Sequence, residues 1–444
     1  MYISLVDVPR LSNDAIPALP LDKPASFSLE TSGALGLLDE DDAISAIATA
    51  HIYGNRRWLG WYNTPGSFQI SKRLGLFARS VSPKSFLSER VHTDPRTLLK
   101  LDACNGPKFR ATHSGTVMEE TGYFATLFMK ECAAWESEGT VVPGRKTRPV
   151  GITIADLGQV PESVIRPASN RNSAIFFAAI PISASVGTCA LCTAAGDLWA
   201  SSLILVGTVA SGLSCLVLGS ADFVFTHPVP AQGSPAGDGI LGSDNDMVLL
   251  KGKEGAVNAI TRGMFSLRFS SKSHYNLIRW CSFLFLVQFV TQLLLIPQAS
   301  LFGQIMFLIS LGVSALYNAW LSSDKEKIHR KFLFDQVLKN PKVTRFTLGT
   351  RTSAVVFTLL VLQPQDPRGL LNELLDNDTK VWTRWKETIL EQLRHQNDRS
   401  FHFGGKVGYL EGFTQQEKDL LAMLYEDARA AYDGYKDYLQ ANSL

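Results

Sequence analysis

Two long stretches without charge constrain this chain more than anything else in it. Of the fifty residues from 172 to 221 only Asp197 is charged, and from 280 to 323 no residue is. The first stretch reads NSAIFFAAIPISASVGTCALCTAAG, then Asp197, then LWASSLILVGTVASGLSCLVLGSA. Pro297 divides the second into WCSFLFLVQFVTQLLLI and ASLFGQIMFLISLGVSALYNAWL. Crossing about 30 Å of hydrocarbon takes about twenty mostly apolar residues at helical rise. Each half has that length once Leu277 and Ile278 extend the third, with Arg279 snorkelling to the headgroups. A core helix of a soluble protein is rarely apolar around its whole circumference. Four spans are therefore expected, 172–195, 198–220, 277–296 and 300–322, arranged as two hairpins. A hairpin wedged into one leaflet is the alternative for each pair, and the lengths favour full crossing.

Basic residues in short flanking loops orient such spans. Arg166 and Arg171 precede the first, and Lys251, Lys253, Arg262, Arg268, Lys272 and Arg279 lie between the second and third. Lys325, Lys327, Arg330 and Lys331 follow the fourth, while neither hairpin turn carries a Lys or Arg. Both termini and the middle loop are accordingly expected in the cytosol. Trp199, Trp280 and Trp320, with Arg279, are the membrane-interface candidates. Small residues at four-residue spacing let helices approach closely. That pattern makes Gly207, Ser211, Cys215 and Gly219 of the second span helix-packing candidates. Ser183 and Gly187 of the first and Ser310 and Ser314 of the fourth join them. The third span, with Phe283, Phe285 and Phe289, suits a lipid-facing position, and Pro181 predicts a kink in the first.

The fold class expected is an all-α transmembrane helical bundle with mixed, mainly helical cytosolic regions at 1–165, 221–276 and 323–444. The first thirty residues lack a basic start followed by an apolar run, so no cleaved signal is visible. Segment 51–110 is the most basic, with eleven Lys or Arg against three acids. It reads either as an ordinary basic face or as a dock for anionic lipid. Helical spacing of Phe124, Leu127, Phe128 and Cys132 predicts a helix over 117–135. In the middle loop, a Pro- and Gly-rich stretch precedes MVLL, a short strand, and AVNAITRGMFSLRF, a helix. Residues 325–338 read as a helix continuing from the last span. Residues 354–362 are apolar for only half a span and read as a core or interfacial element. Two amphipathic helices follow. One aligns Trp382, Trp385, Ile389 and Leu393; the other aligns Leu420, Leu421, Leu424, Ala428 and Tyr435 after a Thr414–Glu417 capping box. Their stripes must pack on the N-terminal region, the middle loop or a cytosolic protein partner.

Catalytic patterns are scarce. No phosphate loop, HExxH helix or nucleophile elbow occurs. The six cysteines form no disulfide framework, and Cys189 with Cys192 reads as helix packing rather than a redox pair. Asp244-Asn245-Asp246 and Asp376-Asn377-Asp378 have metal-holding spacing, but such triplets are common in turns. No metal or cofactor is expected. A net charge of +2 gives no case for nucleic acid. The span interiors hold no ionisable group, which counts against an ion-coupled carrier. Only Gln288, Gln292 and Gln304 are strongly polar there.

AVNAITRGMFSLRF (256–269), LLLIPQASLFGQIMFLISLGVSALYN (293–318) and DNDTKVWTRWKETILEQL (376–393) resemble a group of uncharacterised multi-pass membrane proteins of fungi. The resemblance covers the second half of the chain best. It implies a membrane fold and carries over no activity and no site residue. The leading expectation is a non-enzymatic membrane-anchored interaction or scaffold protein, contacting the lipid bilayer and a cytosolic partner through the C-terminal helices. The alternatives are an oligomeric channel or transporter component with the glutamines along its path, a lipid-modifying enzyme using the Asp244 region, and a membrane-shaping hairpin protein.

Overall fold

The computed structural model describes residues 56–80, 105–134, 140–165, 172–242, 246–269, 273–394 and 412–442. A 3-10 turn at Arg56–Trp58 leads to helix α1 (Ser67–Ser80). Strands β1 (Phe109–Ala111) and β2 (Val117–Met118), helix α2 (Tyr123–Ala134) and strands β3 (Thr140–Val141), β4 (Val150–Asp156) and β5 (Ser163–Ile165) follow. The first long pair is α3 (Asn172–Ala194) and α4 (Leu198–Leu218). Then come β6 (Asp222–Thr226), β7 (Gly239–Gly242), β8 (Asp246–Lys251), α5 (Glu254–Thr261) and β9 (Met264–Arg268). The second long pair is α6 (Ser273–Leu295) and α7 (Leu301–Ser323), continued by α8 (Lys325–Phe332). Strand β10 (Lys342–Leu348) and helices α9 (Arg351–Leu362), α10 (Pro367–Leu374), α11 (Lys380–Arg394) and α12 (Gln415–Asn442) complete the order.

Among the described residues four helices, the α3–α4 and α6–α7 pairs, are long and apolar enough to cross a membrane. The all-α expectation is corrected, because the polar regions build a seven-stranded mixed sheet in the order β2-β1-β7-β8-β4-β10-β3. Its strands come from before the first pair, from between the pairs and from after the second. The central strands β4 and β8 run parallel, although the α3–α4 pair separates them in the chain. A second sheet, β5-β6-β9, ties together segments that adjoin α3, α4 and α6. Both pairs therefore have their flanking chain at one end, the sheet end, and their tight connections at the other, the turn end.

Alternation along the strands divides two cores, as a sheet covered on both faces requires. In β8, Met247 and Leu249 face one core, while Val248 and Leu250 face the other. The first core joins α2, α5, α8 and the sheet ends of α4 and α6. The second holds α9 to α12. Helix α9 is buried from Thr352 to Leu362 and starts with a reciprocal capping box between Thr350 and Ser353, so the half-span apolar segment is a core helix. The amphipathic stripes of α11 and α12 also lie here. Trp385 and Ile389 are buried, the Trp385 indole donates to the Leu424 carbonyl at 3.1 Å, and Leu421, Leu424 and Ala428 pack beside them. The chain itself covers both stripes, leaving only outer faces of these helices for a partner.

Two boundaries differ from expectation for local reasons. Helix α2 begins at Tyr123 because Val117 and Met118 pair with β1. AVNAITRGMFSLRF is helical only to Thr261: a side chain on Gly263 would meet the Ala259 carbonyl, so the chain turns there and continues as strand β9.

Candidate functional site

The long helices enclose a fifth element that the basic segment 51–110 did not suggest. Residues 56–80 run into the bundle and out again. The inward limb follows α4: Arg57 lies on Gly219, Gly60 on Cys215, Trp61 on Gly212 and Asn63 on Gly207. A Cβ added at any of these α4 glycines would come within 2.4 Å of the limb. The chain reverses at Pro65 and Gly66, whose φ of 74° suits glycine. Helix α1 then returns along α6. The Ser67 hydroxyl donates to Gln292 Oε1 at 3.1 Å, Phe68 meets Phe289, and Ser71 and Ser282 each donate to the other's backbone carbonyl at 2.8 Å. From Gly219 to Gly207 is twelve residues, so the tip lies about 18 Å from the sheet end at helical rise.

Polar side chains gather around that tip. The Tyr62 hydroxyl donates to Asn318 Oδ1 at 2.8 Å, and Asn318 Nδ2 donates to Thr64 Oγ1 at 3.3 Å. The Asn63 amide donates to Ser185 Oγ at 3.0 Å, which sits 3.2 Å from Ser310 Oγ. Gln288 Nε2 donates to the Thr64 carbonyl at 3.1 Å. These bonds fasten the hairpin to all of α3, α6 and α7. Asn63 and Gln288 are left with unspent capacity. The Asn63 carboxamide is 0% exposed and neither its oxygen nor its nitrogen has a partner, and Gln288 Oε1, 1% exposed, has none. An unpaired polar atom in a dry interior costs about 1–3 kcal/mol. Two such residues side by side, at the tip of an inserted hairpin, mark the candidate site.

The packing candidates divide accordingly. Gly207, Ser211, Cys215 and Gly219 do mark a close approach, but their neighbour includes the inserted hairpin as well as a long helix. Ser310 and Ser314 are buried, with Ser314 donating to the Ser310 carbonyl at 2.9 Å. In α3 the packed face is Ser185 and Thr188; Ser183 is exposed, and nothing lies within 4 Å of a Cβ on Gly187. Helix α3 continues through Pro181. The third long helix has two faces: Ile278, Cys281, Phe285, Gln288 and Gln292 are buried, while Phe283, Leu286, Val290, Leu293 and Leu294 face outward, as a lipid-facing position would have them. Trp199, Trp280 and Arg279 are exposed, and Trp320 stacks on Tyr317.

Asp197 joins the two turns. Its Oδ1 accepts from the Ala200 amide at 3.0 Å and caps α4, while Oδ2 accepts from the Ser300 amide at 2.7 Å and the Ser300 hydroxyl at 2.6 Å. Gly303 permits this approach, since a Cβ there would lie 2.1 Å from Oδ2. Gln304 stands just inside, donating to the Ile296 and Ala299 carbonyls at 3.2 Å with its own oxygen unpartnered.

On the other side of the sheet end, a crevice of about 710 Å³ opens at the carboxyl ends of β4 and β8, lined by Asp156, Asp238, Lys251, Lys253 and Glu254 among others. Among the described residues no three His, Cys, Asp or Glu side chains gather as metal ligands. Asp244 lies outside the described residues; Asp246 pairs with Arg345 at 3.1 Å. Burial pushes the Cys132 thiol up to about 12, the nearby Arg345 offsetting part of it, which disfavours the thiolate there.

The signal that sequence reading passed over was the pairing of two patterns. Polar residues punctuated the long helices at Ser185, Gln288, Gln292 and Asn318. A helix of only 14 residues, α1, carried Ser67 and Ser71 one turn apart to meet them. No family model matches this chain, and neither a curated protein nor a solved structure does.

Proposed function

We propose that this protein is a non-enzymatic integral membrane protein that admits small polar solutes at the centre of its bundle: a channel or carrier component with its α/β region and both termini in the cytosol. The observation that carries this reading is the fully buried, unpartnered Asn63 carboxamide beside Gln288. Irregular backbone at membrane depth is tolerated where protein surrounds it or where it lines a path. Here it brings costly polar groups to about mid-depth, where a purely structural hairpin would place apolar ones. The basic residues at the sheet end support this orientation. The absence of ionisable groups from the interiors of the four long helices counted against ion coupling; it does not bear on an uncharged path, and Lys72 and Arg73 of the inserted hairpin lie in α1 beyond its tip. The burial of all three glutamines within one chain supports a path through a single bundle.

A membrane-anchored interaction or scaffold protein is the second reading, favoured by the crevice at the ends of β4 and β8 and by the outer faces of α11 and α12. Kinship with the fungal multi-pass group is proposed alongside either. The first reading is tested with purified full-length protein in liposomes, by stopped-flow light scattering and ion-sensitive dyes. Passage of at least one of water, urea, glycerol, chloride or potassium faster than in protein-free vesicles is the expected result. Rates equal to those of empty vesicles for every solute refute it.

A further inference from the structure

Resting on the solute reading, we infer that the molecule received at the hairpin tip is neutral and small and carries both hydrogen-bond donors and acceptors, as amides and polyols do. Hydrogen-bond accounting at the tip carries this. Gln288 has its orientation fixed by donating to the Thr64 carbonyl at 3.1 Å, so its free group is an acceptor. Asn63, in either orientation of its carboxamide, adds one acceptor and one donor. The Asn63 and Gln288 carboxamides both approach Gly207, with Asn63 Oδ1 and Gln288 Nε2 within 3.0 Å of the point where a Cβ there would stand. A ligand that meets all three groups donates twice and accepts once.

Ions do not fit that demand. An anion satisfies the Asn63 nitrogen alone and leaves two buried carbonyl oxygens unpaired. A metal cation satisfies the oxygens alone. It would also stand at the amino end of α1, which bears a partial positive charge of about half a unit. Among the described residues no buried carboxylate offsets that charge at the tip: Asp197, the one charged residue from 172 to 221, is taken up by Ala200 and Ser300 at the turn end. Neutral molecules with both kinds of group leave nothing unpaired. The surrounding ring of Tyr62, Thr64, Ser185, Ser310 and Asn318 bonds within itself and positions the tip.

The test uses the full chain in liposomes, with urea and glycerol as neutral probes, chloride and potassium as ionic ones, and the variants Asn63→Leu and Gln288→Met. Urea or glycerol flux above empty vesicles, without ion flux, is expected. It should fall about tenfold in a variant, the change made by losing one hydrogen bond of ordinary worth. Two variants are used so that one remains if the other does not fold, as judged by its unfolding midpoint in detergent. Ion flux that either variant abolishes, with no neutral flux, overturns the inference and leaves the solute reading standing. Neutral flux unchanged in both folded variants also overturns it, since the path then lies elsewhere. Vesicles that pass none of the four overturn the inference, and the solute reading falls with it if water is passed no faster either.

Discussion

Asp197→Ala removes the link between the two hairpin turns, and its cost can be worked from the bonds the carboxylate makes. Losing a helix cap costs about 1 kcal/mol. The two bonds from Ser300, at 2.7 and 2.6 Å, are charge-assisted and worth about 1.5–3 kcal/mol each. Ser300 is exposed, so water can take over part of its bonding in the variant, and about 3 kcal/mol remains as the net loss. For a chain of this size that corresponds to a midpoint lowered by roughly 3–6 °C. Thermal unfolding in detergent, followed with a thiol-reactive dye, reads this through Cys192 and Cys281, both buried in the native fold. Asp197→Asn keeps one accepting oxygen, so it can serve α4 or Ser300 but not both, and falls between parent and Asp197→Ala. A midpoint for Asp197→Ala indistinguishable from the parent's refutes the reasoning, because the carboxylate would then be solvated in both states.

Gly207→Val puts a branched side chain where Asn63 and Gln288 meet; it should displace the hairpin and open residues 56–80 to limited proteolysis, and a digestion pattern like the parent's contradicts the close approach. Arg345→Met strips the Cys132 carbonyl of its 2.8 Å donor and leaves Asp246 unpaired, costing about 2–3 kcal/mol once the partial exposure of Asp246 is discounted. Denaturant unfolding of the purified variant checks this, and Asp246→Ala should recover part of the loss in the double variant. The Glu417 carboxyl is held below its ordinary value by the Thr414 amide and then its hydroxyl. With the folded value the lower one, this capping contribution is whole above the unfolded glutamate value of 4.5 and is lost as pH falls through the folded value. Hydrogen exchange at the first turn of α12 should rise over that interval, and Glu417→Gln should remove the dependence.

What the sequence disclosed and what it hid follow from how far apart the cooperating residues lie. The four long helices were visible because each carries its own evidence, about twenty apolar residues in succession. Helix α9 was separable from them by length alone, and the MVLL strand by its bounded apolar run. The seven-stranded sheet was not visible. Its strands are two to seven residues long, and its central pairing joins Ile152 to Met247 across two long helices, a relation no local pattern records. The inserted hairpin was hidden for a related reason. Ser67, Ser71, Lys72 and Arg73 make α1 look like an ordinary soluble helix until Gln292 and Ser282 are placed beside it. The small-residue face of α4 was legible as a close approach, yet the pattern does not say whether the neighbour is a helix or an inserted loop.

The interleaved sheet also bears on how the protein is made. Strand β10, which lies between β4 and β3, leaves the ribosome after both helix pairs, so until it arrives β4 stays unpaired on that side and β3 cannot join the sheet. If either pair enters the bilayer reversed, or fails to turn, the strands beyond it end on the opposite face and the sheet cannot close. On the proposed topology, closure of the sheet therefore requires that both pairs insert in the same sense.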